Sequence, residues 1–263
     1  MSINISDAKI QADEFQKVFD LGMNDYNRKL IGFLKDCGMI YPGCRALDIG
    51  CGVGKHGTYF AALGCDVTLS DISPEMLANA EKNMAGAPSP WRTVLLDFST
   101  VPLDELPFSS PFDFSISSMC PAIKKRADIE KMSAITSGWC FVSSFVSWSQ
   151  PERDRFYAAM GMDIVPEMNR RTDMYSLLED VKAAGYSPEM RIVPYDWCDR
   201  RTKEDAVKTI LWRRNADLLR DEAMIKKANE AFSALCDEDG LFTDSVKTKV
   251  MWLYWNTKKQ TSR

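Results

Sequence analysis

The feature that most constrains this chain is the run Arg45-Ala46-Leu47-Asp48-Ile49, which leads straight into Gly50-Cys51-Gly52-Val53-Gly54. A short apolar stretch meeting alternating glycines reads as strand, tight turn and helix, because residues without a Cβ let the chain turn that sharply. The helix continues through Tyr59, Phe60 and Leu63 to Gly64, and the run Cys65-Asp66-Val67-Thr68-Leu69-Ser70 then forms a second strand ending at Asp71. Ser73-Pro74 opens another helix, with the hydroxyl as N-cap and proline at the first helical position. Met76, Leu77, Ala80 and Met84 make its buried face. Further strands are expected from Trp91 to Leu96, ahead of Asp97, from Phe112 to Ser117 and from Cys140 to Val146, with a helix from Ala127 to Ile135. Strands alternating with helices at this rhythm are βαβ units. The expected fold class is therefore α/β, a doubly wound, mostly parallel seven-stranded sheet with helices on both faces.

Outside that alternation the pattern changes. Residues 7 to 38 carry Phe15, Val18, Phe19, Met23, Tyr26, Leu30, Phe33 and Leu34 at helical spacing, so one amphipathic helix, or two broken at Gly22, should form an N-terminal helical cap over residues 1–40. The remainder, 41–263, reads as one domain with insertions at about 150–175 and 200–240. The first insertion holds Met160, Met162, Met168 and Met174, and a helix from Met174 to Gly185 follows it. Arg191-Ile192-Val193 and Val250-Met251-Trp252-Leu253-Tyr254-Trp255 are the last strands, separated by a helical stretch from about 203 to 236. The direction of the final strand stays open.

Composition narrows the partners. The 33 Lys and Arg against 37 Asp and Glu give a formal charge of -4, so the surface is no general footprint for a phosphate backbone and nucleic acid is not expected as a partner. The eight cysteines form no C-x-x-C pair and read as thiols. The opening residues lack a signal-peptide pattern and no window reaches about 18 apolar residues, which gives the expectation of a cytoplasmic protein without membrane contact.

Two readings compete for the glycines. Gly52-Val53-Gly54-Lys55-His56-Gly57 spells the dinucleotide fingerprint, with Asp71 lying 19 residues past its first glycine. The strand, however, carries Asp48 close to the turn, where a carboxylate would repel a pyrophosphate and attract a cation. A phosphate-cradling P-loop fails on spacing, since His56 follows Lys55 and Ile49 stands where its first glycine is needed.

The segments 46–54 and 67–77 together resemble class I S-adenosylmethionine-dependent methyltransferases, with Leu95-Leu96-Asp97-Phe98 in the third position of that pattern and similarity over about 44–147. The fainter stretches Ser118-Met119-Cys120-Pro121-Ala122-Ile123 and Trp252-Leu253-Tyr254-Trp255 resemble uncharacterised bacterial stand-alone members. The resemblance implies a Rossmann-like fold and S-adenosylmethionine as cofactor. It puts Asp48 near the methionine ammonium, Gly50, Cys51, Gly52 and Gly54 under the cofactor, and Asp71 on the ribose hydroxyls. It sets Ile72 on the adenine face, Asp97 and Phe98 at its border, and Met76 and Met119 among the remaining binding residues. The reaction it implies is in-line transfer of the sulfonium methyl to an N, O, S or C nucleophile of a small-molecule acceptor. Alternatives are a protein or RNA acceptor, or a module that binds the cofactor without catalysis.

No catalytic residue or metal ligand is assigned. His56 is the only histidine and a candidate base, but its place at a helix opening favours a structural or cofactor-tail role. Cys120 follows the fourth strand, yet precedes Pro121 where a covalent cytosine-C5 nucleophile would follow proline. Tyr26, with Asn27, is a candidate on the N-terminal cap. Lys124-Lys125-Arg126 reads as a solvated helix start, and the aromatics Trp252, Tyr254 and Trp255 read as core in preference to an acceptor pocket. Oligomeric state is not legible.

Overall fold

The computed structural model describes residues 5–20, 22–164 and 172–258. Strand β1 (Arg45–Ile49) runs parallel to β2 (Asp66–Asp71) on one side and to β4 (Phe112–Ser118) on the other. β2 continues the parallel sheet to β3 (Trp91–Leu95), and β4 continues it to β5 (Thr136–Ser149). With β6 (Glu189–Pro194) and β8 (Leu241–Asn256), the path is β3-β2-β1-β4-β5-β8-β6. These are the seven strands expected. An eighth, β7 (Trp197–Thr202), pairs antiparallel with β8 off this path. It was hidden because Cys198-Asp199-Arg200-Arg201 offers no apolar run.

The order reverses between β1 and β4, and this fixes the layers. Right-handed crossovers take α3 (Lys55–Ala62) and α4 (Pro74–Met84) to one face as the chain steps from β1 to β3, and α5 (Arg126–Ala134) to the other as it steps from β4 to β5. The crevice at such a reversal, beyond the carboxyl ends of the strands, is where open α/β sheets place ligands.

The described residues divide into two compact units, drawn from Met1–Ser144, Thr172–Ile192 and Met251–Arg263, and from Phe145–Arg171 and Val193–Val250. The first holds the reversal. Its N-terminal segment forms two helices, α1 (Ile5–Asp20) and α2 (Asp25–Asp36), and Asn24 caps the second by accepting from the Asn27 N–H. Phe33 of α2 packs on Trp252 and Tyr254, each at 5.2 Å between ring centroids, and Tyr26 accepts a 3.0 Å hydrogen bond from the Trp252 indole. Trp255 is fully buried and donates to Ser133 Oγ at 2.9 Å. The C-terminal aromatics are core, which agrees with their alternation in the sequence. Met174, at the start of α7 (Met174–Ala183), is buried as well.

The second unit is built from α6 (Pro151–Met160), β7, α8 (Lys203–Arg214), α9 (Glu222–Ser233) and parts of the long strands β5 and β8. Phe156, Phe232, Phe242, Ile210 and Leu211 fill its core, with Phe156 and Phe232 stacked at 4.2 Å. Met160 is buried in this core and Met162 packs at its edge, while Met168 lies outside the described residues. Beside the core, Arg153 and Asp244 form a buried ion pair, and Gln150 donates to both oxygens of the same carboxylate. Among the described residues, no helix is long and apolar enough to cross a membrane.

Candidate cofactor site

Three acids stand at the carboxyl ends of neighbouring strands: Asp48 near the end of β1, Asp71 closing β2 and Asp97 just beyond β3. Between the first two runs the glycine loop. The Gly50 and Cys51 N–H groups donate to the Ser70 carbonyl at 2.7 and 2.9 Å, fastening the loop to the end of β2. Asp71 completes the fastening: Oδ2 accepts from the Gly52 N–H and Oδ1 from the Ser73 N–H, both at 2.9 Å. Ser73 caps α4 through the Met76 N–H at 3.2 Å, as the Ser-Pro signal implied.

Asp48 differs from its neighbours. It is 1% exposed, and its Oδ2 has no hydrogen-bond partner. Burial, reinforced by the charge of Asp71, pushes its carboxyl up to about 7. A lone carboxylate away from water is costly, and a bound cation removes that cost. The same surroundings push the buried Cys51 thiol well above its usual range, burial first and the charges of Asp48 and Asp71 next.

Gly50 is required sterically. Its φ is +72°, and a Cβ there would lie 2.0 Å from Cys120 Sγ. The ends of β1 and β4 thus close to contact at the reversal point. Met119, one residue earlier, has φ +56°, the only positive value outside glycine among the described residues, and its N–H still donates to the Ser143 carbonyl at 2.9 Å. Strained backbone of this kind concentrates at functional sites. Cys120 is half-buried, and burial lifts its thiol to about 11, so it is neutral near pH 7 and a poor nucleophile.

The remaining candidates differ in exposure and in partners. Ile72 is 62% exposed at the head of α4, an apolar side chain left in the open next to Asp71. Asp97 accepts from the Ser99 hydroxyl at 2.6 Å, which holds its carboxyl below the usual range. Phe98 is buried, with the Lys131 ammonium 5.1 Å from its ring centroid. His56 is driven down to about 4, chiefly by burial and then by Lys55, so it is neutral near pH 7. Tyr26 is buried with its hydroxyl engaged by Trp252. Lys124-Lys125-Arg126 is a helix start: Asp128 accepts from the first two N–H groups, and Arg126 pairs with Glu130 in solvent.

The sequence did not signal what α1 does. Gln16 and Asn83 exchange two amide hydrogen bonds at 3.1 and 3.0 Å, and Asn83 also donates to the Val53 carbonyl in the glycine loop at 2.9 Å. Ala12 packs with Val53 and Met76 in a small apolar cluster. Polar residues inside two amphipathic helices look like solvated positions until the helices are placed together.

The residues present suit a ligand bearing a cation and vicinal hydroxyls. Asp48 offers an unsatisfied buried carboxylate, and each Asp71 oxygen retains a second acceptor position after its backbone bond.

Residues 46–137 match the family described as "Methyltransferase domain". The YcgJ protein of Bacillus subtilis shares the fold at 13% identity and a TM-score of 0.51, covering 88% of this chain and 98% of its own. Magnesium protoporphyrin IX methyltransferase of Synechocystis, solved with S-adenosylmethionine bound, aligns at 18% identity and a TM-score of 0.44 over 74% of this chain and 78% of its own. No curated protein matches the chain by sequence. Over residues 46–137 the chain is thus similar to the methyltransferase-domain family, and its fold is that of the YcgJ protein.

Proposed function

We propose that this protein transfers the methyl group of S-adenosylmethionine to a nucleophilic atom of a small-molecule acceptor, with the cofactor seated on Asp48, Asp71, Asp97 and the glycine loop. The observation that carries this reading is the buried, unpartnered Oδ2 of Asp48 beside Gly50. The bound cofactor supplies an activated methyl on a sulfonium centre.

The chain's own part is binding, orientation and exclusion of water. Asp48 holds the methionine ammonium, ionising when the cation arrives. Asp71 accepts from the ribose hydroxyls with the positions left over from Gly52 and Ser73, and charge-assisted bonds of this type contribute about 1.5–3 kcal/mol each. Ile72 covers one face of the adenine, while Asp97 and Phe98 border it. Held this way, two reactants gain up to about 7–11 kcal/mol from alignment alone, and no general base is needed for an acceptor that is already nucleophilic. The neutral His56 and the high-lying Cys120 thiol fit that economy of catalytic groups.

A small acceptor is favoured by α1, which lies on α4 and the glycine loop through Ala12, Gln16 and Asn83. A helix over the loop encloses the reaction and keeps water out. The test is incubation with methyl-labelled S-adenosylmethionine and a metabolite extract. Label recovered in a product of low mass is the expected result. Label on RNA or protein instead, or binding without transfer, overturns the small-acceptor reading.

A further inference from the structure

We propose that Cys44 and Cys65 are a built-in disulfide site, a thiol pair that a hydroperoxide converts to a covalent staple between the residues that lead into β1 and β2. The two sulfurs lie 3.2 Å apart, and both side chains are fully buried. Cys44 immediately precedes Arg45, and Cys65 immediately precedes Asp66, its register partner. The thiols therefore occupy the next opposed position of two parallel strands. Neighbouring strands are about 4.8 Å apart, inside the Cα separation a disulfide spans. The Asp66 N–H donates to the Cys44 carbonyl at 2.9 Å, so this position is already part of the ladder and bridging asks for little backbone movement.

The surroundings assign the two sulfurs different tasks. The Cys65 thiol donates to the Tyr41 carbonyl, and the Cys44 thiol donates to the Cys65 sulfur at 3.2 Å. Cys65 is raised by its neighbour Cys44 and by burial. Cys44, directly after the exposed residues 41–43, is thus the attacking sulfur once deprotonated, and Cys65 the resolving thiol. In the first step the Cys44 thiolate attacks one peroxide oxygen; the O–O bond breaks, Cys44 becomes the sulfenic acid, and the departing alkoxide takes a proton to leave as the alcohol. In the second, Cys65 sulfur attacks Cys44 sulfur; the S–S bond forms, the S–O bond breaks, and hydroxide leaves as water with the Cys65 proton. Two thiols lose two electrons, and one hydroperoxide gains them.

The staple is distant from the cofactor seat. Four residues of extended chain separate Cys44 from Asp48, about 13 Å. Cross-linking should therefore stabilise the fold and leave cofactor affinity unchanged. The experiment treats the purified chain with tert-butyl hydroperoxide and reads mass, linkage, Tm and S-adenosylhomocysteine affinity. The expected result is a loss of two hydrogens, a peptide pair joining Cys44 to Cys65, a Tm higher by about 5–10 °C and a Kd within about twofold of the untreated value. Cys65→Ser should stop the reaction at the Cys44 sulfenic acid, captured by a dione probe. Oxygen addition to Cys44 in the wild type without a crosslink, a crosslink to any other cysteine, or two intact thiols after treatment overturns the proposal. A large fall in affinity on crosslinking overturns its remoteness from the seat.

Discussion

If Asp48 waits for a cation, cofactor affinity must depend on pH in one direction. Its carboxyl lies at about 7 in the free protein, whereas an ammonium beside it pulls it well below that value. Binding then requires ionisation, and the apparent affinity follows the ionised fraction of the free protein. That fraction is about 3% at pH 5.5 and about 76% at pH 7.5, so Kd should tighten about 25-fold across the window, equivalent to about 2 kcal/mol. The upper limit stays below the usual titration of an α-amino group at about 7.7–8.0, so most of the ligand keeps its charge. Calorimetric titration with S-adenosylmethionine is the assay, and Asp48→Asn is the control: it should bind weakly and show no such step. A wild-type Kd constant within twofold from pH 5.5 to 7.5, or a step that survives in Asp48→Asn, would refute the reasoning. The sign for stability is opposite. Because the folded-state value is raised above the unfolded one of about 3.9, the contribution is fully present below pH 4 and is lost as pH rises towards 7. Asp48→Asn should thus raise Tm at pH 7.5 while it weakens binding, the mark of a group retained for ligand contact at the expense of the fold.

Gly50→Ala should destabilise by about 2–4 kcal/mol in urea unfolding, since its Cβ would collide with Cys120 Sγ and its φ is +72°; adding Cys120→Gly should recover the steric part and leave the left-handed strain. Asp244→Ala should cost about 3–5 kcal/mol by the same measurement, because it strands the buried Arg153 guanidinium, and replacing both partners with apolar residues should cost much less.

The alternation of strands and helices and the acids at the strand ends were legible because each depends on local chemistry: apolar runs that end in Asp, glycines at the turn, Ser-Pro at a helix start. What escaped depends on residues remote in sequence. The strand β7 alternates polar residues with few apolar ones, and its partner β8 lies dozens of residues away. Likewise, Gln16 meets Asn83 across 67 positions, and neither helix announces the contact. Asp71 was legible as an acid at the right distance, but not as the clamp on Gly52 and Ser73; its loss should therefore loosen the loop as well as the ligand. The aromatic pattern of Trp252, Tyr254 and Trp255 showed burial, while their pairing with Phe33 and Ser133 needed the fold.

The place of β8 has a consequence for biogenesis. A strand formed by residues 241–256 lies inside the sheet path, between β5 and β6, although about 90 residues separate it from β5. The edge of β5 therefore stays unpaired on the ribosome while those intervening residues and β8 itself are made, and the nascent chain presents a β-template to other chains in the meantime. Slow maturation is the expected result of that order of events, and a stop codon before Met251 should yield aggregated protein even though every residue of the proposed cofactor seat has been made.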